Sequence, residues 1–204
     1  MLRVQNLSCR RGGRIVFREA GFSAESGGFL LVTGANGSGK STLLRVLAGL
    51  IEPKAGIMQW QGTDVAEDAT AHRARLHYIG HLDAVKPALT VREMLDYWRA
   101  LRGAAKIDET TCFGAFALDK LADRPVRSLS AGQKRRVSLT RLALDAAPLW
   151  LLDEPTTALD ADGQDLLRTQ IARHRAGGGI VVAATHDELS VPDVQRFNMA
   201  EAAR

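Results

Sequence analysis

A glycine-rich loop between two apolar segments constrains the fold of this 204-residue chain most strongly. Before the loop, Phe29–Thr33 is a continuous apolar run, which is typical of a strand buried on both faces. The loop itself reads Gly-x-x-x-x-Gly-Lys-Ser over residues 34–41, and Leu43, Leu44 and Leu47 then follow at helical spacing. A buried strand that leads through a glycine loop directly into a helix predicts an α/β fold with a mainly parallel core sheet.

Other apolar segments extend this prediction along the chain. The glycines of Arg11-Gly12-Gly13 indicate a turn between two N-terminal strands, which we expect to form an antiparallel β portion. Farther along, buried strands alternate with a helix, as they do in a parallel sheet. Strands are predicted at residues 2–6, 15–23, 57–60, 149–152 and 180–184, and a helix is predicted over roughly residues 163–175.

Between these strands, residues from about 84 to 147 have a helical pattern. Thr90 and Glu93 form a capping box, and so do Ser130 and Gln133, whose helix is predicted to run to about residue 147. The first of these helices carries an apolar stripe that is expected to pack in the core, made of Val91, Met94, Leu95 and Trp98.

The chain is therefore expected to form one domain with two lobes. Residues 1–83 and 148–204 would form the core lobe, and residues from about 84 to 147 would form an inserted helical lobe.

Composition excludes several other classes of protein. The net charge of +4 is dispersed apart from Arg10-Arg11 and Lys134-Arg135-Arg136, so we interpret these runs as solvated faces rather than a nucleic-acid site. Cys9 and Cys112 lie too far apart in the sequence to suggest a zinc motif or a disulfide framework. No apolar run is long enough to cross a bilayer and no signal-peptide pattern is present, so we expect a cytosolic chain whose membrane spans, if any, belong to another subunit.

The glycine loop has the Walker A pattern of P-loop NTPases. Its glycines let the backbone come within hydrogen-bonding distance of phosphates, and the N-terminus of the next helix faces the same anion. Lys40 is expected to reach the β- and γ-phosphates and Ser41 to supply an oxygen to Mg²⁺. A plain glycine turn is the alternative. The candidate ATP-binding residues are Gly34, Ala35, Asn36, Gly37, Ser38, Gly39, Lys40, Ser41 and Thr42.

Acidic and histidine side chains follow two of the other predicted strands. Asp153 and Glu154 come at the carboxyl end of the apolar run 149–152, where α/β folds bind ligands. Asp153 is expected to hold Mg²⁺ and Glu154 to act as general base on the attacking water. His186 follows the strand at 180–184 and is a candidate sensor of the γ-phosphate, although a satisfied core or loop histidine is an equal alternative.

A third motif resembles a known family. Leu129-Ser130-Ala131-Gly132-Gln133 is similar to the LSGGQ signature of ABC-transporter ATPases, with alanine for the first glycine. Residues 157–160 resemble the D-loop of that family, and His186 matches its switch histidine. The resemblance implies the ABC ATPase fold and a head-to-tail dimer that sandwiches two ATP molecules. In such a dimer the ATP bound by one copy would be contacted from the facing copy by Ser130, Ala131, Gly132, Gln133 and Asp160.

Two positions depart from the family pattern. The adenine-stacking aromatic residue of the family is matched here by Arg11, whose guanidinium could stack on the base instead. The glutamine on the loop that joins the lobes is matched by His81.

Several segments resemble one branch of the family, the cytochrome c maturation ATPases, which are the ATP-binding subunits of the so-called haem exporter. They are Gly80-His81, residues 129–136, the strand with Trp150, and residues 177–182 before Thr185-His186. The resemblance implies a peripheral protein on the cytoplasmic face of the bacterial inner membrane that uses ATP and Mg²⁺. Its implied partners are a second copy of itself, the membrane subunits CcmB and CcmC and, indirectly, the haem chaperone CcmE, with no nucleic acid.

Two other functions stay open at this point. An ABC transporter ATPase for another cargo would carry the same motifs. A soluble mechanical ABC ATPase is less expected, because such chains usually fuse two ATPase units or insert long coiled coils. The 18 residues after His186 are also expected to leave no room for an appended regulatory domain.

Overall fold

The computed structural model describes residues 1–103, 109–185 and 189–202. The strands are β1 (Leu2–Arg11), β2 (Arg14–Ala24), β3 (Phe29–Thr33), β4 (Ala55–Trp60), β5 (Thr63–Asp64), β6 (Leu76–Ile79), β7 (Leu149–Asp153), β8 (Ile180–Ala184) and β9 (Val194–Asn198). The α-helices are α1 (Lys40–Leu47), α2 (Ala69–Ala74), α3 (Val91–Arg102), α4 (Glu109–Gly114), α5 (Ala131–Leu139) and α6 (Ala161–Ala176). Short 3₁₀ turns lie at Val65–Asp68, Asp119–Leu121, Val126–Ser128 and Thr140–Ala143.

These strands form two sheets. A four-stranded antiparallel sheet has the order β2-β1-β4-β5, and a five-stranded sheet has the order β6-β7-β8-β3-β9 with every neighbouring pair parallel. The predicted α/β fold, with a mainly parallel core sheet and an antiparallel N-terminal portion, is therefore confirmed. The helices α3, α4 and α5 all come between β6 and β7 in the chain, as an insertion predicts, whereas the exact lobe boundaries stay predictions.

The N-terminal hairpin turns at its two glycines. Gly12 and Gly13 both have positive φ, 53° and 81°, which glycine adopts without steric penalty. The turn leaves Arg11 directly opposite Arg14 in the register. Strand β1 is longer than the predicted run of residues 2–6, because a register shift near Asn6 lets the pairing continue after the apolar alternation is interrupted.

Alternate residues of the parallel strands feed two separate hydrophobic cores. Leu30 and Val32 of β3 pack with α1 and the antiparallel sheet, whereas Phe29 and Leu31 pack with the helices inserted after β6. This alternation follows from the two-residue period of a strand, and it explains why the sequence of β3 is apolar throughout.

Both predicted capping boxes are present. Thr90 Oγ1 accepts from the Glu93 amide at 3.2 Å, and Glu93 Oε2 accepts from the Thr90 amide at 2.8 Å. Ser130 and Gln133 make the equivalent pair of bonds at the start of α5. The predicted apolar stripe of α3 is buried in the core as expected, namely Val91, Met94, Leu95 and Trp98.

The prediction that the α5 helix runs to about residue 147 is wrong, since α5 ends at Leu139. The Thr140 hydroxyl donates to the Val137 carbonyl at 2.6 Å, and the next residues tighten into a 3₁₀ turn. Asp145 Oδ1 then accepts from the Ala147 amide at 3.1 Å. Short polar side chains that bond the nearby backbone compete with the helical ladder, which accounts for the early end.

Strand β7 and helix α6 are joined by an aromatic contact. The Trp150 and His174 rings stack with centroids 3.9 Å apart and planes 8° apart. Gly179 leaves room for the imidazole, because a Cβ at that position would lie 2.2 Å from a ring atom of His174. The strand that ends in Asp153 is therefore fixed to the helix beside it. None of the described helices has the length and apolar character that crossing a bilayer requires.

Candidate nucleotide site

The glycine loop leaves β3 and turns directly into α1. Gly34 and Gly39 have φ of 142° and 104°, in the region that favours glycine. A Cβ on Gly39 would also lie 2.8 Å from Val16 Cγ1, so a side chain at that position would push the loop away from strand β2. The local backbone therefore needs glycine at the positions where the Walker A pattern has it.

Lys40 is held across this loop. It is 8% exposed, and its Nζ donates to the carbonyls of Gly34 at 2.8 Å and Ala35 at 3.2 Å. Lys40 is also the first residue of α1, whose first turn contains no acidic side chain. A buried ammonium beside a helix N-terminus forms a local site for an anion.

A cavity of about 340 Å³ opens on the outer side of the loop. Most of its wall is phosphate-loop backbone and side chain, but Val16 of the hairpin and Glu154 after β7 also contribute. It is lined by Val16, Asn36, Gly37, Gly39, Lys40, Ser41, Thr42 and Glu154. Ser38 also belongs to the loop but does not line this cavity, because its side chain is buried and its Oγ would lie 2.8 Å from a Cβ on Gly34; its predicted contact with ATP stays a prediction. Elements distant in sequence thus enclose the predicted phosphate site.

Ser41, which lines the cavity, bonds to Asp153, which does not line it. The Ser41 hydroxyl donates to Asp153 Oδ1 at 2.9 Å, and Asp153 is 1% exposed. Asp153 Oδ2 is buried without a hydrogen-bond partner of good geometry among the described residues, although Arg45 and Tyr78 lie close enough to interact with the carboxylate. A bound cation would stabilise a carboxylate that is buried in this way. Ser41 and Asp153 therefore fit Mg²⁺, which prefers oxygen ligands and usually takes one or two carboxylates together with water and substrate phosphates.

Glu154 occupies a strained backbone position. Its φ is 48°, in the left-handed region that a residue with a side chain rarely adopts, and its amide donates to the Ala184 carbonyl of β8 at 2.7 Å. The turn leaves Asp153 on the strand and brings Glu154 to the cavity wall. The two adjacent acids are therefore separated, as two different roles would require.

The residues predicted to act across a dimer, Ser130–Gln133 and Asp160, are described by the structure and do not line this cavity. A Cβ on Gly132 would lie 2.7 Å from the Ala158 carbonyl, so the start of α5 packs closely on the loop before α6. Asp160 Oδ1 accepts from the Gly163 amide at 2.9 Å and caps α6 within its own chain. A contact of these residues with a second copy stays a prediction.

Comparison with known proteins defines the family. Residues 17–157 match the family described as ABC transporter. The chain belongs to this family. It is 49% identical to the cytochrome c biogenesis ATP-binding export protein CcmA of Paramagnetospirillum magneticum, over 98% of this chain and 94% of that protein. A protein of the same name from Haemophilus influenzae is 39% identical over 98% of this chain and 95% of its own length.

Solved structures show the same fold. A putative ABC transporter ATP-binding protein from Pyrococcus furiosus aligns with a TM-score of 0.85 at 24% identity, covering 100% of this chain and 99% of that one. A dimeric ATP-binding cassette in a post-hydrolysis state, bound to ADP and Pi, aligns with a TM-score of 0.77 at 24% identity over 92% and 88% of the two chains. The predicted ABC ATPase fold is thereby confirmed.

Three further residues of this ABC ATPase were assigned roles from the family pattern, namely Arg11, His81 and His186. Arg11 is exposed at the end of the hairpin and does not line the cavity, whereas Val16 of the same hairpin does. His81 is exposed on the loop after β6. His186 lies outside the described residues. The roles predicted for Arg11, His81 and His186 stay predictions.

One interpretation of the basic residues is wrong. Arg135 does not belong to a solvated face, because it is 2% exposed and its guanidinium donates to the carbonyls of Asp153, Glu154 and Pro155. Hydropathy marks an arginine as polar, so the apolar pattern could not find it. Its spacing from the buried Leu139, four residues later on the same helical face, was the available signal.

Proposed function

We propose that this chain is the ATP-hydrolysing subunit of a membrane ABC complex that serves cytochrome c biogenesis, by haem export or by release of a haem-loaded chaperone. The observation that carries the proposal is similarity over the whole length. The Paramagnetospirillum relative named for cytochrome c biogenesis and export aligns with 98% of the chain at 49% identity. A second such relative, from Rhodospirillum rubrum, is 52% identical over 92% of the chain and 81% of its own length.

The chemistry proposed for the site follows from its charges. Lys40 and the loop amides bind the phosphates of ATP, with Ser41 and Asp153 holding Mg²⁺, which neutralises phosphate charge. Glu154 polarises the attacking water as general base, and it is supported in this role by its place on the cavity wall. His186 contacts the γ-phosphate in this scheme.

Two copies of the chain are proposed to work as a pair. Ser130 and Ala131 at the start of α5 are exposed, and Ser130 and Gly132 lie at a helix N-terminus suited to an anion. The related ATP-binding cassette with ADP and Pi is a dimer, which supports the same arrangement here. ATP would close the dimer and hydrolysis would release it, so that binding energy becomes a domain movement.

The proposed partners are membrane subunits of the CcmB and CcmC type and, through them, the haem chaperone CcmE. The chain would lie peripherally on the cytoplasmic face of the inner membrane, with the two-lobe division described above. Export requires a passage through the membrane, and the relatives are named as export proteins. Leu82 is 81% exposed and Leu101 is 67% exposed, so these apolar side chains are candidates for contact with such a partner.

The test of the cargo is a deletion of this gene in its own host, followed by haem staining of denatured membrane proteins. Loss of stained c-type cytochromes, restored by the wild-type chain but not by Lys40→Ala, is the expected result. The control is Asp119→Asn. Asp119 is exposed and distant in sequence from the residues that line the cavity, so this variant should restore staining. Unchanged staining in a host without a second copy of the gene would remove the haem assignment and leave an ABC ATPase for another cargo.

A further inference from the structure

The guanidinium of Arg135 joins three segments of the site at one buried point. Its Nη1 donates to the Gly80 carbonyl at 3.0 Å and to Asp83 Oδ1 at 3.1 Å. Its Nη2 donates to the carbonyls of Asp153 at 3.2 Å and Glu154 at 2.7 Å, and its Nε donates to the Pro155 carbonyl at 3.3 Å. One side chain of the signature helix therefore bonds both the lobe-joining loop and the end of β7 with the residues that follow it, which carry the two acids.

We propose that Arg135 is a positioning residue that couples the lobe-joining loop, through Asp83, to the backbone of Glu154. The inference rests on the proposed ATPase function. Arginine suits this task because its planar fork presents five N–H donors in fixed directions, which the single ammonium of lysine cannot reproduce.

The buried charge of Arg135 is balanced by Asp83, so the position of the guanidinium depends on this carboxylate. Among the described residues, Asp83 is the one carboxylate within ion-pair distance of Arg135, and it is 28% exposed while Arg135 is 2% exposed. The other partners of the guanidinium are neutral carbonyls. Moving Asp83 away would therefore leave a buried charge uncompensated, and the guanidinium would have to shift or draw in water.

A shift of the guanidinium would be felt at Glu154. The Glu154 carbonyl accepts the shortest of the five bonds, 2.7 Å, and the residue already sits at a φ of 48°. A backbone in this region persists only where its surroundings hold it, so loss of the carbonyl anchor would let the carboxylate leave the cavity wall. Hydrolysis would slow although the phosphate loop is untouched.

The outer end of the connection is accessible to a partner. His81 and Leu82, which lie between the two lobe-joining residues bonded by Arg135, are exposed. A membrane subunit that binds this exposed stretch would move Asp83 directly. The Arg135 network would in this way make the position of the general base depend on the partner's conformation.

The test compares Asp83→Asn, Arg135→Lys and the double variant with the wild type and with Lys40→Ala as the inactive reference, each as the full chain purified with its membrane partners. Asp119→Asn and Arg173→Lys, which make the same two exchanges at exposed positions, are the matched controls. Steady-state hydrolysis gives kcat and KM, nucleotide titration gives Kd, and thermal unfolding gives Tm.

For Asp83→Asn and Arg135→Lys we expect kcat to fall about tenfold or more with Kd for ATP changed less than about twofold, since only the hydrolytic group is displaced. The double variant should be no slower than the slower single variant, because both changes cut one connection. A purely structural role would instead lower Tm and weaken ATP binding in step with kcat. Asp83→Asn keeps the test valid if Arg135→Lys does not fold.

Each outcome separates the two proposals. Wild-type turnover no faster than that of Lys40→Ala would overturn the ATPase assignment and the coupling with it. If Asp83→Asn and Arg135→Lys both hydrolyse ATP as fast as the wild type, the coupling alone would be overturned. Losses of kcat that add up in the double variant would have the same meaning.

Discussion

His174 should make the stability of this protein sensitive to acid. Burial lowers the pKa of this imidazole to about 4 from an ordinary 6.5, with a hydrogen bond to the Ile180 carbonyl opposing the shift. Between these two values the unfolded state binds more protons than the folded state. Stability due to His174 is therefore complete above about pH 6.5 and is lost progressively as the pH falls toward the folded pKa.

The size of the effect follows from the two pKa values. At about 1.4 kcal/mol per pKa unit, the gap between 6.5 and about 4 limits the loss to about 3 kcal/mol. Only part of that range is titrated at about pH 5, and the half-buried ring is partly screened by solvent. We therefore expect His174 to lower the free energy of unfolding by about 1 kcal/mol between about pH 7.5 and about pH 5.

The assay is urea unfolding followed by tryptophan fluorescence at both pH values for the wild type and His174→Phe. Phenylalanine keeps a flat ring against Trp150 but cannot titrate. Burial also lowers the pKa of His72 and His77, so the wild-type pH dependence has several sources and only the difference between the two proteins isolates His174. Equal losses of stability in the wild type and the variant would refute the reasoning.

Four further predictions concern the site. Glu154→Gln should lower turnover about 100-fold or more while ATP stays bound, seen as a dimer in size-exclusion chromatography; normal turnover would contradict the general-base role. Gly132→Ala places a Cβ 2.7 Å from the Ala158 carbonyl and should lower the free energy of unfolding by about 1–3 kcal/mol, measured by urea titration; an unchanged value would mean that the loop yields freely. Asp160→Ala removes the cap of α6 and should lower the free energy of unfolding by about 1 kcal/mol, whereas Asp160→Asn should retain most of that stability. Ser41→Ala should raise the Mg²⁺ concentration needed for half-maximal hydrolysis, and an unchanged requirement would argue against Ser41 as a metal ligand.

Much of the fold could be predicted because its signals are local. The run Phe29–Thr33, the glycine loop and the Thr90 capping box each follow from short-range periodicity or steric rules. Strand β9 (Val194–Asn198) escaped prediction because its residues are mostly partly or fully exposed and give no apolar pattern. The end of α5 at Leu139 escaped it because hydrogen bonds from side chains, rather than hydropathy, stop the helix.

The site shows the same division between local and long-range signals. Ser41 and Asp153 are 112 residues apart, yet their meeting could be predicted, because loops at the carboxyl ends of parallel strands share one edge of a sheet. The positions of Val16 at the cavity and of Arg135 beside the two acids could not be predicted by this rule. Val16 reaches the cavity only because the hairpin packs on the loop at Gly39, and the partners of Arg135 are mainly backbone carbonyls, which leave no pattern in the sequence.

The left-handed backbone at Glu154 has a consequence for engineering and evolution. Glycine would adopt a φ of 48° with less strain than any residue that has a side chain, by about 1 kcal/mol. A library selected for heat resistance alone would therefore be expected to enrich glycine at position 154 and so return stable proteins without turnover. Selection for activity and selection for stability act in opposite directions on this one residue, and a thermostabilised variant of the chain has to be screened for ATP hydrolysis from the first round.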